Sequence, residues 1–568
     1  MIEQVCNIGR VIREIDGDKS LVELWTKDTK LIDNIIVIDI NDKTKKITKE
    51  VLDFYEDIYK DCLIYQQGNG HVGAGIKIEN YKKEDANKIK NKKVMSSLSF
   101  MELDESYLDE VWNIIENEIN KDIKQSYLIM INKNGKKPIE LYESKYNKKI
   151  KETYLISDKN LQKKIKKSTC HLCGKLSKVY DTAIYKCFTN DKEIYSNTDA
   201  YTFTLCEDCL NSILHGRSYI NENLKVNWIG SEVMFLPHEF SEDIKDLYET
   251  TIDKDNKITG LLRNLKELEG EVLEEIGKTN CITDIVFFSD PKASSEWKIT
   301  YAIRGVLPTR FGKLGSLIEK YKLVDQYFSL YKIMSYLCYS DGKFESKNKD
   351  RMRLLDILFK GTNFSRSMFF NKVMDKYKKE YFKTNNNSHF VLKDIHEIYN
   401  FMCECSCLEN PWKLINEEGE LMEYKNREEF FQVNKEFFDN DLKKAWFIMG
   451  QVYSNTIYQS KRYKSVDDKN INQESSHLER NFFFSRKFDY TTFIHFANQC
   501  SEKLTKYGTY YNYIREDLNK AKEYMSTGKI KINNDEAKYI FFWGMDMKFK
   551  KDEELKNLDK EVNEEVTR

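Results

Sequence analysis

Cys170-His171-Leu172-Cys173-Gly174 and, beyond a 32-residue spacer, Cys206-Glu207-Asp208-Cys209 are the stretches on which the architecture turns. Each sets two thiols across a short turn. Together they offer four thiolates, the closed tetrahedral set that Zn²⁺ takes at about 2.3 Å in structural sites. Gly174 suits a knuckle turn, where positive φ is often needed. The spacer exceeds the usual ~15–20 residues between knuckles. Its Thr-, Tyr- and Phe-rich runs read as a β-hairpin inserted between the halves of a ribbon. Cys170, Cys173, Cys206 and Cys209 are therefore the expected ligands of one structural Zn²⁺, against the alternative of two unrelated buried or redox pairs. His171 and Cys187 fall in the same span but are not needed for a complete set. Four sulfurs leave no position for a reactive water, so such a site implies structure and not catalysis.

Outward from this module the chain reads as a large multidomain protein. Its 568 residues allow three or four domains at about 150 residues each. The 91 Lys and Arg against 92 Asp and Glu exclude a uniformly basic coat or an acidic tail as the whole function. Abundant aromatics, 35 Tyr and 32 Phe, argue against disorder over most of the chain. No apolar run approaches the ~18 residues of a membrane span, and the charged N-terminus carries no secretory signal. With 13 cysteines and no export signal, a reducing, cytoplasmic location is expected, which makes metal binding the first question to ask of the thiols.

The expected fold class is α+β and multidomain. A mixed N-terminal domain spans 1–165, with LVELW (21–25) and IIVIDI (35–40) as strands and KEVLDFYEDIYKDCLIY (49–65) as a helix. The zinc-ribbon module follows at 166–235. A mixed, then helical, central domain spans 236–420, opening with strands in ITDIVFF (282–288) and EWKITYAI (296–303). A C-terminal helical bundle spans 421–568.

Catalytic constellations fail in turn. QQGNGHVGAG (66–75) has two glycines at phosphate-loop spacing, but Ala74-Gly75 stand where Lys-Ser/Thr is required. Asp394-Ile395-His396 and His238-Glu239 are isolated pairs, and Cys403, Cys405 and Cys407 alternate without a CxxC spacing. Basic residues are more suggestive. Between Met130 and Tyr180 fourteen Lys face four acids, and Lys163, Lys164, Lys166 and Lys167 run into the first knuckle. Local charge of this kind binds phosphate by counterion release whatever the global balance; plain solvation is the alternative. A second stretch holds Lys461, Arg462 and Lys464, then Arg480 and Arg486 interleaved with Phe482, Phe483 and Phe484. It fits a single-strand path with stacking aromatics, or a surface beside core phenylalanines.

Four segments in order resemble one family: CHLCGK (170–175) with YTFTLCEDCLNSILHGRSYI (201–220), WKITYAIRGVLPTRFGKL (297–314), KAWFIMGQVYS (444–454) and NNDEAKYIFFWGMDM (533–547). The family is the large subunit of the type I-B CRISPR Cascade surveillance complex, of TM or Csh type. Thr309 stands where its Val-x-Pro-Ser-Arg segment has Ser. The resemblance implies a non-catalytic subunit that checks the PAM duplex and helps open the target, while guide pairing reads sequence. Its implied partners are crRNA, target duplex and displaced strand, the backbone and small subunits, and a separate helicase-nuclease. On this reading Lys163, Lys164, Lys166, Lys167 and Arg217 contact phosphates, and Gln67 and Asn69 read bases. Arg310 recognises backbone or else caps a strand–helix junction. Lys461, Arg462, Lys464, Arg480 and Arg486 line the displaced strand. A zinc-ribbon nuclease or RNA-processing enzyme is the alternative. The C-terminal domain resembles a free small subunit, and Glu418-Gly419-Glu420-Leu421-Met422 permits a ribosome-binding site before an internal start at Met422.

Overall fold

The computed structural model describes residues 1–25, 32–55, 57–64, 73–79, 81–82, 85–150, 167–181, 204–250, 260–289, 298–338, 344–381, 388–412, 422, 424–464, 486–528, 531–547 and 549. The chain divides into two compact units, one of residues 1–264 with 281–305, the other of 265–280 with 306–568.

The first unit opens with helix α1 (Ile2–Asp16) and a short α2 (Leu21–Trp25). LVELW is thus a helix and not the expected strand. The reason lies one residue upstream: Ser20 Oγ accepts the Glu23 N–H at 3.3 Å and Glu23 Oε2 accepts the Ser20 N–H at 2.7 Å. This reciprocal cap nucleates a helical turn against the strand preference of the residues inside it.

A four-stranded sheet follows, ordered β2 (Lys46–Leu52), β1 (Asn34–Asn41), β4 (Tyr127–Lys133), β3 (Ile76–Ile78), with β1 and β4 parallel. Central β1 buries Ile35, Ile36, Val37 and Ile38, as a β-branched run covered on both faces should. Ile35, Val37, Leu128 and Met130 pack with Ile58, Tyr59, Cys62 and Ile64. The 49–65 stretch departs from its expected helix. Its first residues form edge strand β2, where Thr48, Lys49, Glu50 and Val51 face solvent, and only Ile58–Asp61 makes a helical turn. Asn41 Oδ1 accepts the N–H groups of Lys43 and Thr44 at 3.1 and 3.0 Å, an Asx turn that folds the chain back before a helix can start. Helix α3 (Leu108–Ile119) precedes β4 and α4 (Pro138–Ile150) follows it.

The knuckle region contributes β5 (Ser168–Thr169), β6 (Leu176–Ser177), β7 (Val179–Asp181), β8 (Thr204–Cys206) and helix α5 (Glu207–Tyr219). The second sheet is ordered β12 (Lys298–Val306), β11 (Thr283–Ser289), β10 (Ser231–Pro237), β9 (Lys225–Trp228). Ile229 and Gly230 both take positive φ in the two-residue hairpin between β9 and β10, the geometry such turns demand. Both strands read from 282–303 are present. Buried Asp284 ties this sheet to α1. It accepts His238 Nε2 at 2.8 Å, the Gly305 N–H at 2.7 Å and Gln4 Nε2 at 3.1 Å. Burial opposes its ionisation, but these donors hold its carboxyl below the usual range.

The second unit is helical: α6 (Glu269–Lys278), α7 (Pro308–Lys322), α8 (Leu330–Leu337), α9 (Phe344–Lys360), α10 (Arg366–Tyr381), α11 (Ser388–Glu404), α12 (Arg427–Val433), α13 (Asp441–Lys464), α14 (Tyr490–Lys506), α15 (Asn512–Thr527) and α16 (Asn534–Asp546). The chain is therefore α+β with a mainly helical C-terminal half, as expected. Side-chain caps from Ser329, Asn426, Asp489 and Asn533 start α8, α12, α14 and α16. Trp412 lies fully buried against Phe437, Phe438, Tyr539 and Trp543. Glu536 accepts Arg366 at 2.6 Å and pairs with Lys443 at 3.3 Å, so the buried carboxylate has two cations.

His396 is a core group of this unit. The Trp412 N–H donates to Asn400 Oδ1 at 3.0 Å, which turns Asn400 Nδ2 toward Trp412 O and His396 Nε2, at 2.6 and 2.9 Å. Nε2 is therefore an acceptor, and Nδ1–H faces the Tyr539 hydroxyl at 3.2 Å. Burial pushes the imidazole pKa down to about 3 from 6.5. Between those values the unfolded chain binds a proton that the folded one refuses, so this group costs stability as pH falls below 6.5. In thermal melts, His396→Gln should be less stable than the parent at pH 7.5, and the gap should narrow toward pH 5; a constant gap would contradict the assignment.

Candidate metal centre and its surroundings

The first knuckle is a tight turn: the Cys170 N–H donates to Lys175 O and the Gly174 N–H to Cys170 O, both at 2.9 Å. Gly174 takes φ 71° with open space around it, as its place after Cys173 requires. Strands β5 and β6 flank the turn. The second knuckle begins at Cys206, the last residue of β8, and closes with Cys209 in the first turn of α5. Strand β8 pairs antiparallel with β7, so the ends of the long spacer meet as the inserted hairpin requires; residues 182–203 lie outside the described residues.

One sulfur from each cysteine lies within 4.8 Å of the other three. Cys173 Sγ and Cys206 Sγ are 3.7 Å apart. That is too long for a disulfide, and all four are free thiols. A tetrahedron with metal–sulfur bonds near 2.3 Å has sulfur–sulfur edges of about 3.8 Å, so the spacing fits a metal. The electrostatics fit too. Burial opposes ionisation of Cys170, but the N–H groups of Cys173, Cys206 and Leu172 outweigh it and bring that thiol to about 6. Burial and neighbouring thiols push Cys206 and Cys209 up. Four thiols this close cannot all ionise without a cation among them. Cys170, Cys206 and Cys209 are buried and Cys173 is partly exposed. As a ligand set, four sulfurs would leave no position for a reacting water.

The expected nucleic-acid residues fare unevenly. Lys167 is exposed immediately before β5. Gln67, Asn69, Lys163, Lys164, Lys166 and Arg480 lie outside the described residues. Arg217 is half-buried on α5, and Arg486 is exposed. Lys461, Arg462 and Lys464 lie on α13, but their side chains fall outside the described set. Arg310 turns inward: Nε donates to Leu358 O at 2.5 Å, Nη1 to Cys405 O at 2.8 Å and Nη2 to Cys407 Sγ at 3.4 Å. It thereby ties α7 to the ends of α9 and α11. Sequence reasoning passed over exposed Lys175 and Lys178 on the knuckle hairpin, although their spacing beside Cys173 marks them.

A second group of ligand type gathers in the helical unit. Asp325, Asp394 and Glu397 lie within 4.8 Å of one another. The Lys332 ammonium sits among them, paired with Asp325, with Asp394 at 2.6 Å and with Glu397 at 3.6 Å. Burial lifts the Glu397 carboxyl to about 7, against the pull of Lys332 and Lys393. A lysine here holds the place that a metal ion would take.

The central-domain model of the CRISPR-associated protein TM1802 (cas_TM1802) matches residues 167–306, the knuckles and the second sheet. Its C-terminal-domain model matches residues 328–558. The chain belongs to this family. It is a CRISPR-associated protein of the type I-B large-subunit kind that its sequence resembles. No curated protein matches the chain. The family match begins three residues before Cys170, so the four-cysteine cluster lies at the head of the central domain. Among the described residues no helix is long and apolar enough to cross a membrane.

Elemental analysis of the purified chain should find one metal ion bound. Structural four-thiolate sites hold their ion with roughly 10–16 kcal/mol. Removing one ligand in Cys206→Ser should leave most of the protein metal-free after dialysis against chelator. Full retention in the variant would contradict the site.

Proposed function

We propose that this chain is the non-catalytic large subunit of a crRNA-guided DNA surveillance complex in antiviral defence. It recognises the PAM-side duplex and stabilises the opened target for a separate helicase-nuclease. Membership of the TM1802 family carries the reading. The four-cysteine centre holds one structural Zn²⁺, the ion that closed tetrathiolate sites favour. On its outer side the knuckle hairpin presents Lys167, Lys175 and Lys178, all exposed, beside exposed Leu176. Lysines on a turn fixed by metal–sulfur bonds meet phosphates with little cost in chain entropy, and phosphate contacts set register without reading bases. Base reading falls to the N-terminal domain, where Gln67 and Asn69 have suitable donors and acceptors.

The nuclease or RNA-processing alternative needs acids free to hold catalytic metals. Among the described residues, the carboxylates that gather closely enough to share a cation are Asp325, Asp394 and Glu397, and the Lys332 ammonium already pairs with them. This supports binding over cleavage. The C-terminal bundle, taken from residue 421, lines the displaced strand through Lys461, Arg462, Lys464, Arg480 and Arg486. A separate product starting at Met422 would lack α10, α11 and Trp412. It would uncover Tyr539, Phe542 and Trp543, and Glu536 would keep Lys443 but lose Arg366. Such a product would carry an apolar face ready to dock on another subunit.

The test is binding of PAM-bearing duplex by the assembled complex. Changing Lys167, Lys175 and Lys178 together to Ala should weaken binding by a similar factor on every PAM variant. It should also lower the salt slope by about one for each phosphate that is no longer neutralised. Parental affinity and slope in the triple variant would overturn this placement.

A further inference from the structure

Helices α1 and α5 run antiparallel in contact so close that their backbones touch. A Cβ on Gly9 would lie 1.6 Å from Ser212 O, and one on Gly216 would lie 2.0 Å from Val5 O. Only glycine at both positions allows this approach. Along the seam Arg13 Nη1 pairs with Asp208 at 2.7 Å and donates to Ser212 Oγ at 2.8 Å. The Lys19 N–H donates to His215 Nε2 at 2.9 Å, and His215 Nδ1 in turn faces Asn211 O at 2.8 Å. Asp208 and Ser212 flank Cys209 on α5, so the seam runs directly beside the sulfur cluster.

Two α1 side chains reach the cluster itself. Arg10 Nη2 donates to Cys209 Sγ at 3.7 Å, and Cys6 Sγ lies 3.9 Å from Cys209 O. Four thiolates around a divalent cation leave a net charge of about −2. A guanidinium is permanently charged and presents directional donors. Placed on one sulfur, it offsets part of that charge.

We propose that Arg10 is a positioning residue of the metal centre, and that through it the docking of α1 and the loading of the metal are one coupled event. The inference rests on the metal reading of the four cysteines. It adds a partner from residues 2–16, far outside the stretch that the family models match. A bound metal fixes the Cys209 sulfur where Arg10 meets it, and the hydrogen bond from Arg10 holds α1 against α5. Loss of the metal frees that sulfur to move away from Arg10 and loosens the helix that carries it.

The experiment uses the full chain as parent, Arg10→Gln and Arg10→Lys. It measures metal content, metal release to a chromogenic chelator, and amide hydrogen exchange over residues 2–16 before and after stripping. The parent should hold one ion, and its α1 amides should lose protection when the ion is removed. Outer partners of metal ligands typically contribute 10–100-fold, so Arg10→Gln should release metal roughly tenfold faster or more. Arg10→Lys, which keeps a charge and a donor, should fall between. With cobalt(II) in the site, Arg10→Gln should also shift the sulfur-to-metal charge-transfer band, a change that a merely structural arginine would not cause. Parental release in both variants, or α1 protection indifferent to stripping, would overturn the coupling. A parent chain without metal would instead overturn the metal reading, and the coupling with it.

Discussion

A buried negative charge must have a cation beside it, and both units of this protein are built around that requirement. In the first unit, four thiols converge from two knuckles far apart in sequence. They can ionise together only around a metal, with Arg10 beyond Cys209. In the helical unit, Glu536 has Arg366 and Lys443, and the acids around Lys332 have its ammonium. Leaving one buried partner unpaired is strongly destabilising, by roughly 3–5 kcal/mol. The pairs therefore fix which helices can meet. Where burial wins instead, as at His396, the group stays neutral, and neighbouring hydrogen bonds choose its tautomer.

The four-cysteine module was the most legible feature in the sequence, because ligation of a metal would demand thiols at short, fixed spacing. The positive φ of Gly174 and the meeting of β7 with β8 follow from the same demand. Strands rich in β-branched residues, such as β1 and β11, were equally plain. LVELW and the 49–65 stretch misled because their composition and periodicity pointed one way while short-range hydrogen bonds decided otherwise. The Ser20–Glu23 cap made a helix of the first, and the Asn41 turn made an edge strand of the start of the second. Both signals are visible in the letters, but as single residues and not as patterns.

Other parts of the site were out of reach of any pattern. Arg10 and Cys209 are distant in sequence, and nothing in the composition of α1 marks its arginine as a partner for sulfur. Arg310 stood in a recognisable segment, yet the carbonyls that receive it come from the ends of two other helices. Family membership accounts for the shared central and C-terminal domains. The pairing of α1 with α5 shows how this chain fastens its N-terminal helix to the first of them.

The proposed closed four-sulfur metal centre is tested most directly by X-ray absorption at the zinc edge of the purified chain. Four sulfur scatterers near 2.3 Å, with no lighter atom in the first shell, are the predicted result. Nitrogen or oxygen among the ligands, or fewer than four sulfurs, would contradict it.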